Sequence, residues 1–220
     1  EHVLVIDKPA GMPVHPSQGH YENTLANGIA WYYRNEATPF VFRAVNRLDR
    51  DTSGLVLLAK NPYSSCVLSD AVKDHTIHRE YAAIVSGKTD ASGTIDLPIA
   101  RKDGSTIERV CDPERGETAV THYRTFAYNK DADISFIRLL LETGRTHQIR
   151  VHMKAIGHPL PGDFLYCPDY RFIDRQPLHS TYLRFSHPVT GEKLEFSASL
   201  PEDMRKLFPD IKNPSGPVFF

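Results

Sequence analysis

A short apolar run directly after a charged segment is the feature that most constrains the fold of this chain. Leu55-Val56-Leu57-Leu58-Ala59 is apolar throughout and follows Asn46-Arg47-Leu48-Asp49-Arg50-Asp51-Thr52-Ser53-Gly54. A run of this length that begins after turn-forming residues is typical of a buried strand. The preceding segment is therefore predicted to be a polar loop that places Asp49 at the rim of that strand.

The charges around Asp49 predict the state of its carboxyl group. Arg47 and Arg50 flank it, and a nearby opposite charge lowers a carboxyl pKa by roughly 1–3 units. We therefore expect an ionised carboxylate, suited to nucleophilic attack at an anomeric carbon or an electron-poor ring. The alternative is a structural loop in which Asp49 or Asp51 caps the turn and the arginines lie in solvent. The segment by itself leaves both interpretations open.

Composition limits the class of protein. The chain has 220 residues, 40% hydrophobic and 24% charged, which is ordinary for a globular protein. Its net charge of −1 and isoelectric point near 6.9 differ from those of a uniformly basic nucleic-acid binder, whose isoelectric point usually exceeds about 9. An RNA or DNA site would have to be a local patch.

The cysteines and the apolar runs predict the cellular setting. The three cysteines are far apart and form no CxxC pair, which favours a reducing, cytoplasmic location over a disulfide framework or a structural zinc site. No apolar run approaches the roughly 18 residues that a membrane span needs.

Domain organisation is predicted to be simple. No internal repeat, low-complexity linker or charge block divides residues 1–220, so we expect a single domain. The chain opens on Glu1 at the start of an apparent strand. We therefore expect that the native N-terminus is missing from this sequence, which leaves room for an accessory domain upstream.

Local patterns predict an α+β fold with a central, mostly antiparallel mixed β-sheet and flanking helices and loops. Strands are predicted at Val3–Ile6, Glu80–Val85 and Ile134–Leu141, the last one central and covered on both faces. Turn signals between residues 88 and 128 predict hairpins or a meander attached to the main sheet. Helices are predicted after an Asn23 or Thr24 cap, from Pro62, and from Pro201.

A further helix is predicted between Thr146, a plausible N-cap, and Gly157, a plausible residue just beyond its C-terminus. Its apolar stripe comprises Ile149, Met153 and Ile156. Its other predicted face offers His147, Arg150 and Lys154, which suits a site that binds a carboxylate or a phosphate.

The sequence gives little support for a metal site, a glycine-rich phosphate loop or a serine nucleophile. His147 and His152 are five positions apart, a spacing that places them on different faces of a helix, and no HExxH motif occurs, so we expect no metal. Glycine-rich phosphate loops and a GxSxG elbow are also lacking. The sequence pattern leaves the roles of two residues undecided. Lys8 either binds a phosphate or is a solvated loop lysine. Tyr81 is either a core residue or an aromatic platform for a base.

Several ordered motifs resemble those of the RluA-type pseudouridine synthases over nearly the whole chain. They are Asp7-Lys8-Pro9 with Gly11, Arg47-Leu48-Asp49 continuing through Thr52-Ser53-Gly54-Leu55, Arg79-Glu80-Tyr81-Ala82, Gly144 to Arg150, Gly157-His158-Pro159, Gly162-Asp163, Leu178-His179 and His187-Pro188. Their order and spacing are far more specific than any one motif.

The resemblance implies isomerisation of uridine to pseudouridine in structured RNA, ribosomal or transfer, without cofactor or metal. It assigns Asp49 as the catalytic aspartate, acting either by covalent addition at C1′ or by removal of a C2′ proton. Arg47 then helps hold the target nucleotide out of its stack, Tyr81 packs on the flipped uracil, and Arg150 pairs with the aspartate. Arg50 and Ile149 complete the predicted substrate-binding set, and we expect a monomer.

The sequence departs from the family pattern at three positions. Asn46 and Glu117 stand where many relatives have histidine and lysine, and Ser180 stands where alanine is usual. None affects the expected chemistry, although Glu117 could alter an RNA contact. The S4-like RNA-binding module that often precedes this domain is absent from these residues. Two rival functions are a catalytically idle RNA-binding module and a hydrolase in which Asp51 supplies a second carboxylate.

Overall fold

The computed structural model describes residues 2–35, 40–211 and 217–219. In chain order its elements are β1 (Val3–Lys8), α1 (Leu25–Tyr32), β2 (Ser53–Ala59), α2 (Pro62–Lys73), β3 (His78–Ser86), β4 (Ser92–Asp96), β5 (Ile99–Arg101), β6 (Arg109–Cys111), β7 (Val120–Asn129), β8 (Ile134–Leu141), α3 (Gln148–Ala155), β9 (Leu178–Ser186), β10 (Lys193–Ser197) and α4 (Glu202–Leu207). The predicted α+β class with mostly antiparallel strands is confirmed.

The chain divides into two compact units. The first comprises residues 1–78 and 180–198, and the second comprises residues 79–179 and 199–220. Each unit has a hydrophobic core of its own. The expectation of one domain over residues 1–220 stays a prediction.

In the first unit, the predicted apolar run forms β2. It pairs antiparallel with β1, so that Val3 lies opposite Ala59 and Lys8 opposite Gly54. Every residue of β2 is buried, as the continuous apolar run predicted. β9 lies on the other side of β2, and β10 pairs with β9. One core of this unit comprises Leu55, Leu57, Ala59, Leu68, Ile77, Leu183, Phe185 and Ala198.

Both predicted helix starts in this unit are confirmed. Thr24 caps α1 through a hydrogen bond from the backbone N–H of Asn27, whose side chain in turn accepts from the backbone N–H of Thr24. Pro62 is the first residue of α2, and the Asn61 side chain accepts from the Ser64 N–H. These short-range bonds satisfy N–H groups that the first turn of a helix leaves without a partner.

In the second unit, β3, β8, β7 and β4 are neighbours in that order and pair antiparallel. β8 lies between two strands and is buried at all but one residue, which confirms its predicted central place. The turn-rich segment forms β4 and β7, which join the sheet that contains β8 as predicted. Between them, β5 and β6 pair as a hairpin that forms a separate two-stranded sheet instead of joining the larger one. A core on one side comprises Ala82, Ile84, Ile134, Phe136, Ile173, Leu200, Met204 and Phe208.

α3 begins one residue later than predicted. His147, not Thr146, occupies the N-cap, and it has a left-handed backbone with φ of 58°. The end agrees with the prediction: Gly157 has φ of +84°. Its N–H donates to the Lys154 carbonyl, and the His158 N–H donates to the Met153 carbonyl. This pair of bonds is the Schellman arrangement, which ends a helix and satisfies its last carbonyls.

Candidate active site

The loop that carries Asp49 is anchored at its start by Asn46. The buried Asn46 side chain accepts from the Leu57 N–H (2.8 Å) and donates to the Leu55 carbonyl (3.3 Å). The Val45 N–H donates to the Leu57 carbonyl. An amide offers both a donor and an acceptor, so Asn46 binds the backbone of β2 on both sides of one residue. Its role is therefore to fix the loop against the strand.

Lys8 anchors the same loop from β1. Its side chain is fully buried, and its ammonium donates to the carbonyls of Pro9 (2.8 Å), Met12 (2.8 Å) and Arg50 (3.1 Å). A buried ammonium is costly unless acceptors replace its water, and these carbonyls supply that replacement. The alternative of a solvated loop lysine is therefore wrong, because Lys8 is buried. Lys8 instead joins the turn after β1 to the residue next to Asp49.

Gly54 fixes the exit of the loop into β2. Its φ is +106°, and a Cβ atom built on it would lie 2.3 Å from the backbone oxygen of Ser180. Only glycine combines this backbone conformation with such a close approach. The small-residue turn predicted before β2 is therefore needed for the contact between β2 and β9.

The predicted catalytic residue and two predicted RNA-binding arginines lie on this loop. Asp49 is half-buried, and its backbone carbonyl accepts from the Thr52 N–H. Arg50 is exposed and forms two hydrogen bonds with Asp51, at 2.9 Å and 2.8 Å. This bond raises the pKa of Arg50. The guanidinium of Arg50 is thus engaged by Asp51, which fixes its direction on the loop.

Arg47 is exposed on the same loop. Burial, and secondarily the positive charge of Arg47, lower the pKa of His15. His15 itself packs edge-on against Phe42, with ring centroids 5.0 Å apart. A cationic Arg47 beside a neutral imidazole leaves this edge of the loop positively charged, which suits a phosphate backbone.

Tyr81 lies in β3 of the second unit and is 4% exposed. It is paired with Leu139 of β8, which is paired in turn with Tyr123 of β7. The side chains of directly paired residues share one face of a sheet, so the three form a row. The aromatic residue expected from the sequence is thus held rigidly in the middle of a sheet.

The residue before Tyr81 points to the opposite face of the sheet. There Glu80 accepts from the guanidinium of Arg138 at 2.7 Å, with both side chains fully buried. Glu80 also accepts from the backbone N–H groups of Val218 and Phe219. Burial lowers the pKa of Arg138, and Glu80 opposes that shift. The pair therefore binds the segment around residue 218 beneath the strand that carries Tyr81.

Arg150 is buried rather than exposed, contrary to the predicted cationic face of α3. Its Nε and Nη2 donate to the two carboxylate oxygens of Asp163 at 2.6 Å and 2.8 Å. The relative exposure of these two side chains is 2% and 0%. Asp163 Oδ1 also accepts from the N–H groups of Leu165 and Tyr166, and the Tyr166 ring centroid lies 4.9 Å from the guanidinium carbon. This partner of Arg150 was not predicted from the sequence, although the Gly162-Asp163 motif marked its position.

The rest of α3 agrees better with the prediction. Ile149 and Met153 are buried and Lys154 is exposed. The buried Gln148 donates to the Val120 carbonyl and accepts from the Thr143 hydroxyl. These bonds fix the first turn of α3, and with it Ile149 and Arg150, against the start of β7.

The six predicted site residues fall equally into the two units. The first unit carries Arg47, Asp49 and Arg50, and the second carries Tyr81, Ile149 and Arg150. Their roles in binding and catalysis stay predictions. Glu117, the position where a lysine is common, forms an ion pair with Arg145.

No three His, Cys, Asp or Glu side chains within residues 2–35, 40–211 and 217–219 are arranged to hold a metal ion. Over the same ranges, the helices are too short or too polar to span a bilayer.

Comparison with known proteins decides the family. The family profile described as RNA pseudouridylate synthase matches residues 2–155. This chain belongs to that family. The resemblance to RluA-type enzymes is thereby confirmed, and the protein is an RNA pseudouridine synthase, an isomerase whose substrate is RNA.

This pseudouridine synthase has similar relatives in several bacteria. It is 47% identical over 208 residues to the uncharacterized RNA pseudouridine synthase YjbO of Bacillus subtilis, covering 94% of this chain and 72% of the relative. It is 41% identical over 228 residues to the ribosomal large subunit pseudouridine synthase D of Zymomonas mobilis, covering 94% and 69%. The comparison thus extends well beyond the region that the family profile matches.

Solved structures agree with the fold of the synthase. The human RNA pseudouridylate synthase domain containing 1 superposes with a TM-score of 0.74 at 25% identity, covering 90% of this chain and 80% of the other. The human RNA pseudouridylate synthase domain containing 4 gives a TM-score of 0.69 at 23% identity, covering 92% and 87%. The second likeness concerns the fold alone.

Proposed function

We propose that this synthase converts specific uridines in structured ribosomal or transfer RNA to pseudouridine, with Asp49 as the catalytic carboxylate. The observation that carries the proposal is the loop around Asp49. Asn46, Lys8 and the Gly54 exit all fix its backbone, and a reacting group benefits from such preorganisation. The names of several relatives, ribosomal large subunit pseudouridine synthase D, favour a ribosomal substrate.

The proposed reaction is an isomerisation with no net change in atoms. The bond between N1 of uracil and C1′ of the ribose breaks, the uracil rotates, and a new bond forms between C5 and C1′. The C5 proton is lost and N1 gains a proton. Asp49 acts either by adding to C1′ as a nucleophile or by removing the C2′ proton, and both routes begin from an ionised carboxylate.

The other predicted residues are proposed to bind the target nucleotide. Arg47 and Arg50 contact phosphates and help hold the uridine out of its stack, because a base within a duplex is inaccessible to reaction. Tyr81 packs on the uracil, and Ile149 and Arg150 complete the binding set. We propose that the enzyme acts as a monomer without metal or cofactor. A cytoplasmic location stays a prediction.

Tritium release tests this function. RNA labelled with tritium at C5 of uridine loses the label when C5 is joined to C1′, so the purified enzyme should release tritium from ribosomal or transfer RNA in the absence of added metal and cofactor. Binding without release would identify an idle RNA-binding module. Free uracil among the products would identify a hydrolase. Mapping pseudouridine in RNA from cells with and without the gene then identifies the modified position.

A further inference from the structure

The end of α1 carries a group of aromatic and cationic side chains that the proposed chemistry does not use. We call it the α1 aromatic cluster and define it as Trp31, Tyr32, Tyr33, Arg34, Phe40 and Lys60, all in the first unit. Trp31 is 65% exposed and Tyr32 is 68% exposed. Large apolar side chains in such numbers at one place on a surface commonly mark a binding site.

The cations of the cluster are held against its rings. The guanidinium carbon of Arg34 lies 3.9 Å from the centroid of Trp31. Arg34 Nη1 also donates to the Trp31 carbonyl at 2.8 Å, which fixes the guanidinium in this position. A guanidinium has five N–H donors, so this bond occupies a fraction of its capacity.

A second ring pair extends the cluster. Tyr33 and Phe40 stack with centroids 4.5 Å apart and ring planes 10° from parallel. Lys60 Nζ lies 5.2 Å from the Tyr33 centroid, and Tyr32 meets Tyr33 edge-on at 5.0 Å. The cluster thus consists of ordered rings with a positive charge beside two of them, Arg34 beside Trp31 and Lys60 beside Tyr33.

The chemistry of this surface favours nucleic acid over protein. The exposed large apolar side chains of α1 are aromatic, Trp31 and Tyr32, with no leucine, isoleucine or methionine among them. Aromatic rings accept stacked bases of any sequence, and adjacent cations attract the phosphates that link those bases. The sequence of α1 contains no acidic residue, so no negative charge on the helix itself opposes a phosphate.

We propose that the α1 aromatic cluster binds a single-stranded segment of RNA other than the reacting uridine, with a base stacked on Trp31 and a phosphate near Arg34. The proposal rests on the proposed function, because it adds an RNA contact to an enzyme that acts on RNA. It also accounts for RNA binding by a chain whose net charge is −1, since a local patch replaces a uniformly basic surface.

Trp31 provides its own probe. It is the one tryptophan of the sequence, so intrinsic tryptophan fluorescence reports on this cluster alone. The titrant is a short oligoadenylate, which contains no uridine and therefore cannot react at Asp49. Stacking of adenine on the indole should quench the fluorescence in a saturable manner, and added salt should weaken the binding.

Matched variants separate stacking from general charge. By anisotropy of the labelled oligoadenylate, Trp31→Ala should weaken binding roughly fivefold or more, whereas Trp31→Phe should retain most of it. Tyr63→Ala is the control, because Tyr63 is similarly exposed, at 62%, but lies on α2 outside the cluster. It should change binding little. Arg34→Gln should weaken binding and reduce its dependence on salt.

The outcomes are distinct from those of the proposed function. Unchanged fluorescence at oligoadenylate concentrations that saturate the anisotropy signal would overturn the proposal, as would equal affinities of Trp31→Ala and the intact protein. A fluorescence change that depends on protein concentration alone would identify a second copy of the chain as the occupant and would also overturn it. Tritium release by the intact enzyme is a separate measurement that does not involve oligoadenylate, so a failure of the Trp31 test leaves the assignment of Asp49 unaffected.

Discussion

Asp163 holds the guanidinium of Arg150 through two hydrogen bonds, 2.6 Å and 2.8 Å long, with both side chains buried. Asp163 also accepts from the N–H groups of Leu165 and Tyr166. The carboxylate therefore neutralises Arg150 and shapes the turn that follows it. A buried charge whose partner is removed is strongly destabilising.

Asp163→Asn should therefore lower the free energy of unfolding by about 3–5 kcal/mol. The amide can still accept the backbone N–H groups, but it no longer neutralises Arg150. Chemical denaturation followed by circular dichroism measures the loss. Asp169→Asn is the control, because Asp169 pairs with the exposed Arg171 on the surface and should change stability little. An equal loss of unfolding free energy in the two variants would contradict the claim that the buried ion pair stabilises the protein more than the exposed one.

Gly54→Ala should be more destabilising than Gly11→Ala. Both glycines have positive φ, +106° and +81°, but only the Cβ at residue 54 would meet backbone, that of Ser180. Gly11 faces open space within 4 Å, so its substitution should cost the backbone strain of about 1–2 kcal/mol. Gly54→Ala must in addition separate β2 from β9. Thermal unfolding of the two variants measures the difference, and similar melting temperatures would refute the close approach.

The buried His152 should make the protein less stable in mild acid. Its Nε2 lies 2.9 Å from the Leu97 carbonyl and its Nδ1 lies 2.9 Å from the Thr121 hydroxyl. Since a carbonyl only accepts, Nε2 carries the proton and Nδ1 accepts. Burial lowers the pKa of His152 from 6.5, although the Leu97 carbonyl and Asp96 oppose this shift.

The sign of the effect follows from proton binding. As the pH falls through 6.5, the unfolded chain binds a proton that the folded chain resists, so the free energy of unfolding decreases. Above pH 6.5 the histidine is mostly neutral in the unfolded chain as well, so it causes no loss in the free energy of unfolding. The variant His152→Gln should show a smaller loss between pH 7.5 and 5.5 than the intact protein in urea denaturation. His15 and His78, whose pKa values burial also lowers, should leave a residual dependence. An unchanged pH dependence in the variant would exclude His152 as a source.

The elements that depend on local sequence were predictable. The apolar run of β2, the continuous pattern of β8 and the Thr24 cap each involve residues a few positions apart, and each is confirmed. The class of fold and the family followed from several such patterns in order.

The buried charges were not predictable, because their partners lie elsewhere in the chain. Lys8 binds the Arg50 carbonyl across 42 positions, and Arg150 binds Asp163 across 13. The periodicity of a helix predicts that its cationic side chains face solvent. A cation can be buried when a carboxylate pairs with it, but periodicity does not show where that carboxylate lies. The start of α3 differed by one residue because His147 adopts a left-handed backbone, which is uncommon for residues other than glycine and is not marked by any local pattern.

The proposed chemistry depends on one carboxylate, that of Asp49 on the loop between Asn46 and Gly54. Asp49→Asn removes the negative charge while preserving the size of the side chain, and its backbone carbonyl still accepts from Thr52. Folding and RNA binding should therefore be retained. Asp51→Asn is the matched control, because Asp51 lies on the same loop but is paired with Arg50.

The decisive measurement is tritium release from RNA labelled at C5 of uridine, with both variants at equal RNA occupancy. Asp49→Asn should release no tritium above background. Asp51→Asn should retain most of the activity, but its affinity for RNA should be weaker because Asp51 no longer holds the Arg50 side chain in place. Tritium release by Asp49→Asn at a rate close to that of the intact enzyme would contradict the assignment of Asp49 as the catalytic carboxylate.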